Sequence, residues 1–211
     1  MAAAGGKAAV EYPEFMQVMW PEVDPLQLQV EQDGEQVTLM TYRYPVAEGL
    51  KCRGVIFYIH GLGGYCEHSA YLFKGFAENG FDCFALDQRG FGNSGGQRGL
   101  FESDSVVFSD LYLFILKAIQ KYKINQQITP IYLYGKSLGG LLAFNLNIRF
   151  PGLFRGVACI APFFQQYKDF LDKYAYAFYT INFFKFFYSV SGVDKTKPSY
   201  PAYCAKYPFL V

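Results

Sequence analysis

Gly135-Lys136-Ser137-Leu138-Gly139 places a serine hydroxyl between two glycines, with a third glycine at 140. A serine attacks a carbonyl efficiently only when its oxygen is presented and activated, and when the resulting oxyanion is stabilised. A G-x-S-x-G spacing meets the first need where a buried strand runs straight into a helix. Small neighbours let strand and helix close on a strained turn that projects the hydroxyl. Both flanks fit: Pro130-Ile-Tyr-Leu-Tyr134 reads as a buried strand, and Leu138 to Phe150 as a helix stopped by Pro151. The helix N-terminus favours negative charge on a reacting oxygen. A glycine-rich turn with an idle serine is the alternative.

His60-Gly61-Leu62-Gly63-Gly64 follows the apolar run Gly54–Ile59. A loop there can aim the Leu62 amide at the same cleft, where it would join the Leu138 amide as an oxyanion hole. A phosphate-binding loop would need a Lys-Ser/Thr pair that this loop lacks. His60 reads as a residue holding the loop in shape. A third glycine-rich loop, Asp87 to Gly99, follows the apolar run Asp82–Leu86, and Asp87 and Arg89 read as its pins.

These loops need a scaffold. Leu26 to Val30 and Glu35 to Pro45 flank Asp33-Gly34 and predict a hairpin, the second arm being one half-exposed strand. Four buried strands are then expected, at 54–59, 82–86, 130–134 and 156–160, with helices over 69–78, 104–122 and 138–150. Strand–helix alternation implies an α/β fold with a doubly wound, mostly parallel sheet. The expected organisation is a flexible segment at 1–24, a core at 25–162, and an aromatic helical cap and tail at 163–211.

Hydrophobic residues make up 52% of the 211, and the formal net charge is +1, so the chain is neither disordered in composition nor basic enough to favour nucleic acid. Two histidines and scattered cysteines offer no metal cluster, and no cofactor is expected. Five cysteines without a secretory leader read as reduced thiols in a cytoplasmic setting. The segment Phe163 to Tyr188 is dense in Phe and Tyr. It reads either as a cap lining an acyl pocket, with Phe163 and Phe164 as candidate contacts and peripheral contact with a membrane, or as a core-facing helix pair.

Taken together, HGLGG at 60–64, DQRGFGNSGGQRG at 87–99 and GKSLGG at 135–140 resemble the monoacylglycerol lipase and lysophospholipase branch of the α/β-hydrolase superfamily, over about residues 35 to 162. The resemblance implies a serine esterase acting on long acyl chains through an acyl-enzyme on Ser137. Leu62 and Leu138 would give the oxyanion amides, and Gly61, Gly63, Gly135 and Gly139 would shape the two turns. Members of that branch more often carry a histidine or an acidic residue where Lys136 stands. The triad in this fold runs Ser, then acid, then His, and the two histidines, His60 and His68, both precede Ser137. The reading therefore expects the acid and histidine to be missing from these residues. It leaves a second possibility open, a non-catalytic hydrolase-fold subunit of a larger assembly. Gly156–Ile160 would then be an apolar sheet edge for a partner to cover.

Overall fold

The computed structural model describes residues 19–21, 26, 28–100 and 103–163. Most of the expected flexible segment at 1–24 and most of the aromatic cap, Phe164 included, lie outside the described residues. Strands β1 (Leu28–Gln32) and β2 (Glu35–Leu39) form the predicted antiparallel hairpin across Asp33-Gly34. The central sheet has five strands in the order β3-β5-β4-β6-β7, where β3 is Thr41–Tyr44, β4 Gly54–Ile59, β5 Phe81–Leu86, β6 Ile131–Lys136 and β7 Gly156–Ile160. β3 runs antiparallel to β5; the remaining pairs are parallel. Helices α1 (Ala70–Glu78), α2 (Asp104–Lys121) and α3 (Leu138–Arg149) make the crossovers.

All six residues of β4 are buried, which is why it reads as an unbroken apolar run. Alternation divides them between two cores. Val55, Phe57 and Ile59 join Phe114 and Ile115 of α2 and Leu142 and Leu146 of α3 on one face. Ile56 and Tyr58 join Phe73 of α1 and Trp20 on the other. The Trp20 ring stacks on Phe73 with centroids 5.2 Å apart, and its Nε1 donates to the Cys66 carbonyl at 2.9 Å. β7 pairs only with β6 among the described residues, and Ile160 on it is 50% exposed.

The structure corrects one expectation. Residues 35–45 are not one strand, for the chain leaves the hairpin at Met40 and enters the central sheet as β3. The Met40 amide donates to Ser94 Oγ at 2.8 Å, and its carbonyl accepts from the Asp87 amide at 2.9 Å. Two distant residues therefore take the backbone groups that would have continued the hairpin ladder.

Arg89 ties the hairpin to α2. Its Nε and Nη2 donate to both carboxylate oxygens of Asp110, at 3.0 and 2.9 Å, and its Nη1 donates to the Glu31 carbonyl at 2.8 Å. Both side chains of the pair are 8% exposed. Removing one partner of such a pair strands a charge, whereas removing both does not. Asp110→Ala should therefore lose about 3–5 kcal/mol in urea unfolding, and the double change Arg89→Met with Asp110→Leu should lose less. Equal losses in the two variants would contradict this role.

Candidate active site

The ladder between β4 and β6 brings the two glycine motifs together. Ile59 pairs with Gly135, so His60-Gly61 emerges beside Lys136-Ser137 at the C-terminal edge of the sheet, where ligands bind in open α/β folds. The approach is close. A Cβ on Gly61 would stand 3.0 Å from the Lys136 carbonyl oxygen and 3.1 Å from Ser137 Cβ.

Ser137 takes φ 53° and ψ −121°, a conformation costly for a residue with a side chain. The fold holds it there from both ends. Its amide donates to the Ile160 carbonyl at 2.9 Å, and its carbonyl accepts from the amides of Gly140 at 2.9 Å and Phe163 at 3.2 Å. Ala161 also has a positive φ, 45°, which turns the chain after β7 back across this bend. Pro162 then packs where a Cβ on Gly140 would reach, at 3.0 Å. The strap 161–163 went unread in the sequence, because alanine carries no signal for a positive φ. Ser137 itself is half-buried.

Glycine is required beneath the turn. A Cβ on Gly135 would overlap the Gly139 carbonyl, and one on Gly139 would overlap the carbonyl oxygens of Ile59 and His60. Gly63 has φ 72° in the facing loop. The amides of Leu62 and Leu138 donate to no backbone acceptor among the described residues. Binding an oxyanion requires amides that are not already donating. Three large apolar side chains of these loops and of β7 are exposed, Leu62 by 56%, Ile160 by 50% and Phe163 by 44%, as is Lys136.

The 60–64 loop is fixed from behind. His60 is buried, and its Nε2 accepts the Gln88 amide at 2.9 Å. That assigns the ring proton to Nδ1, which donates to the Gly61 carbonyl at 2.8 Å. The Gly64 amide donates to the same carbonyl at 3.0 Å. In a trans peptide the next N–H points opposite to the carbonyl, so anchoring the Gly61 oxygen sets the direction of the Leu62 amide. Asp87 secures the far end of the loop. Its Oδ1 accepts the Cys66 amide at 2.7 Å, and its Oδ2 accepts Tyr42 Oη and the Asn93 amide at 2.8 Å each. Gln88 and Asn93 were not singled out from the sequence; only their place in the third glycine loop hinted at this work.

Neither histidine is bonded to Ser137. Burial lowers the affinity of His60 for a proton, and both its nitrogens are engaged. His68 Nε2 lies 2.7 Å from Tyr65 Oη. Burial, and then Lys136, lower its pKa too. No group of His, Cys, Asp or Glu among the described residues is arranged to hold a metal ion. No described helix is long and apolar enough to cross a membrane.

Relatives of this chain are found among hydrolases. Residues 51–197 match the hydrolase family described as serine aminopeptidase, S33. The monoglyceride lipase of Saccharomyces cerevisiae is 33% identical over 137 residues, 64% of this chain and 41% of that protein. The mouse monoglyceride lipase is 30% identical over 116 residues, 52% of this chain and 35% of the relative. The chain thus spans about two fifths or less of the length of these relatives. A crystal structure of a soluble variant of the yeast lipase with a substrate analog superposes with a TM-score of 0.61 at 25% identity, covering 78% of this chain and 52% of that one.

Two expectations follow. Gly139→Ala should destabilise the fold by about 3 kcal/mol or more in thermal unfolding, since its Cβ meets backbone that cannot retreat. Gly75→Ala in α1, with open space around the new Cβ, should be neutral or stabilising by up to about 1 kcal/mol; equal effects would contradict the tight turn. His60 binds a proton less readily folded than unfolded, so stability is full above its ordinary pKa of 6.5 and falls as pH drops below it. His60→Asn should flatten that acid limb of the stability profile between about pH 7 and 5, and an unchanged slope would contradict a buried neutral ring.

Proposed function

The chain belongs to the serine aminopeptidase S33 family of hydrolases and has the α/β-hydrolase fold, and from these premises we propose that it is a serine ester hydrolase of monoacylglycerol lipase or lysophospholipase type. The observations that support the reading are the strained φ of Ser137, the close fit by which a Cβ on Gly61 would stand 3.1 Å from Ser137 Cβ, and the Leu62 and Leu138 amides, which donate to no backbone acceptor among the described residues. In the proposed reaction Ser137 Oγ attacks the ester carbonyl. The Leu62 and Leu138 amides bind the oxyanion, the alcohol leaves, and water releases the acid from the acyl-enzyme. The apolar rim of Leu62, Ile160 and Phe163 supports a substrate with a long acyl chain. The named lipid chemistry of the relatives supports the same class. Phe163, whose amide bonds Ser137, is proposed as an acyl contact.

The base is assigned to neither His60 nor His68, because each is engaged elsewhere. That observation favours one further reading: a hydrolase-fold subunit that keeps the pocket without turnover, its β7 edge covered by a protein partner.

An alkyl fluorophosphonate followed by peptide mapping separates the two readings when hydrolysis of a monoacylglycerol is measured beside it. The proposal expects a single adduct on Ser137, none in Ser137→Ala, and turnover lost in that variant by about 10⁴-fold or more. Labelling elsewhere, or turnover that survives Ser137→Ala, would overturn it. Lipid binding with neither labelling nor turnover would establish the second reading.

A further inference from the structure

The outward surface of the α2–α3 layer carries charge of one sign. Between residues 105 and 163 the sequence holds a single acid, Asp110, against six cations, Lys117, Lys121, Lys123, Lys136, Arg149 and Arg155. Asp110 is buried in its pair with Arg89, whereas all six cations are exposed. Three of the cations, Lys117, Lys121 and Arg149, stand on α2 and α3. These two helices cover the same face of the sheet, through Phe114 and Ile115 on one and Leu142 and Leu146 on the other. They also meet directly. The Tyr112 and Phe150 rings stack with centroids 3.9 Å apart, and the Arg149 guanidinium lies over the Phe108 ring at 4.0 Å. The exposed acid at the rim of this layer, Asp104, is opposed by Arg149 at 3.8 Å.

Large apolar side chains stand among these cations. In α3 the core takes Leu142, Ala143 and Leu146, while Phe144 and Ile148, four positions apart on the other side, are 45% and 62% exposed. In α2 the core takes Ile115 and Ala118, and Leu116, beside Lys117, is exposed. One exposed leucine on a surface means little, but several on one helix layer mark a place of contact. A surface without unpaired acids attracts an anionic partner. Nucleic acid would use the cations, through phosphate contacts and base stacking, and has no use for the aliphatic Leu116 and Ile148. An anionic bilayer uses both sets, with headgroups for Lys and Arg and the acyl boundary beneath them for Leu, Ile and Phe. We propose that the outer face of α2 and α3 docks on an anionic phospholipid surface. Phe144 and Ile148 enter the interface, and Lys117, Lys121 and Arg149 meet the headgroups. None of these side chains takes part in the site at Ser137, so the docking face stands or falls apart from the ester-hydrolase reading.

Co-sedimentation of the full chain with lipid vesicles tests this. Vesicles of equal parts phosphatidylserine and phosphatidylcholine should bind the chain, vesicles of phosphatidylcholine alone should not, and binding should weaken as salt is raised. Lys117→Gln with Lys121→Gln should lower the partitioning about tenfold or more. Ile148→Ser should lower it about fivefold through lost apolar contact. Lys51→Gln with Lys74→Gln removes the same charge from exposed positions before β4 and on α1, away from this face, and should leave binding unchanged. Phe144→Trp should shift its emission to the blue on the anionic vesicles, read against the constant signal of the buried Trp20. Ser137→Ala should bind as the parent chain does; weaker binding there would trace the lipid to the serine site and overturn the docking face. No binding, equal binding to neutral and anionic vesicles, or binding untouched by the changes in α2 and α3 would overturn it too. Capture of single-stranded RNA or of polyglutamate in place of the vesicles would give the face to another class of partner and overturn the membrane assignment.

Discussion

The site depends on how near a helix can come to the strand beside its own. The first turn of α3 lies against the end of β4, so near that a methyl group on Gly139 would overlap the Ile59 and His60 carbonyls. Gly135 faces Gly139 across the bend with equally little room. This contact does two things at once. It forces Ser137 into a backbone conformation that only a well-braced fold can maintain, and it lays the 60–64 loop against the serine. Backbone strain persists where the surroundings over-determine it. Here the bracing is the β6–β7 ladder, which takes the Ser137 amide, and the 161–163 strap, which takes its carbonyl.

A hydroxyl alone does little chemistry, so the second requirement is an amide held in a fixed direction. Interlocked polar contacts provide it. His60, neutral and buried, binds the Gly61 carbonyl while accepting from Gln88, and the Gln88 side chain returns to the His60 carbonyl at 2.7 Å. Asp87 gathers Cys66, Tyr42 and Asn93 onto one fully buried carboxyl group. Burial and the neighbouring Asp87 keep the Cys66 thiol protonated, so it acts as packing rather than as a nucleophile. The buried side chains of His60, Gln88 and Asp87 each have partners, which is the condition under which a polar network stiffens a fold instead of weakening it. Gly92 is part of the same fit: its positive φ of 52° brings its backbone against the Asp87 carboxyl group, where no side chain could sit.

Much of this was legible in the sequence because the demands are local. The elbow needs glycines two residues either side of the serine, and they stand there as letters. The central strands are buried on both faces, and the run GVIFYI says so. The meeting of the two glycine loops was not local, since it follows from the register that pairs Ile59 with Gly135. It could be anticipated only through the order of three motifs. The break at Met40 was invisible because its cause, Ser94, lies 54 residues away. The strap turns on a positive φ at an alanine, a residue with no preference for it. The roles of Gln88 and Asn93 were hidden because they act through hydrogen bonds to residues distant in sequence, Gln88 to His60 and Asn93 to Tyr42.

The central proposal is geometric: the Ser137 hydroxyl would stand where the Leu62 and Leu138 amides converge. It is tested most directly by a crystal structure of the chain after reaction with an alkyl fluorophosphonate. The account predicts phosphorus bonded to Ser137 Oγ, with the phosphoryl oxygen about 2.7–3.1 Å from both amide nitrogens. A phosphoryl oxygen turned to solvent, with the 61–64 loop swung away from Ser137, would contradict it.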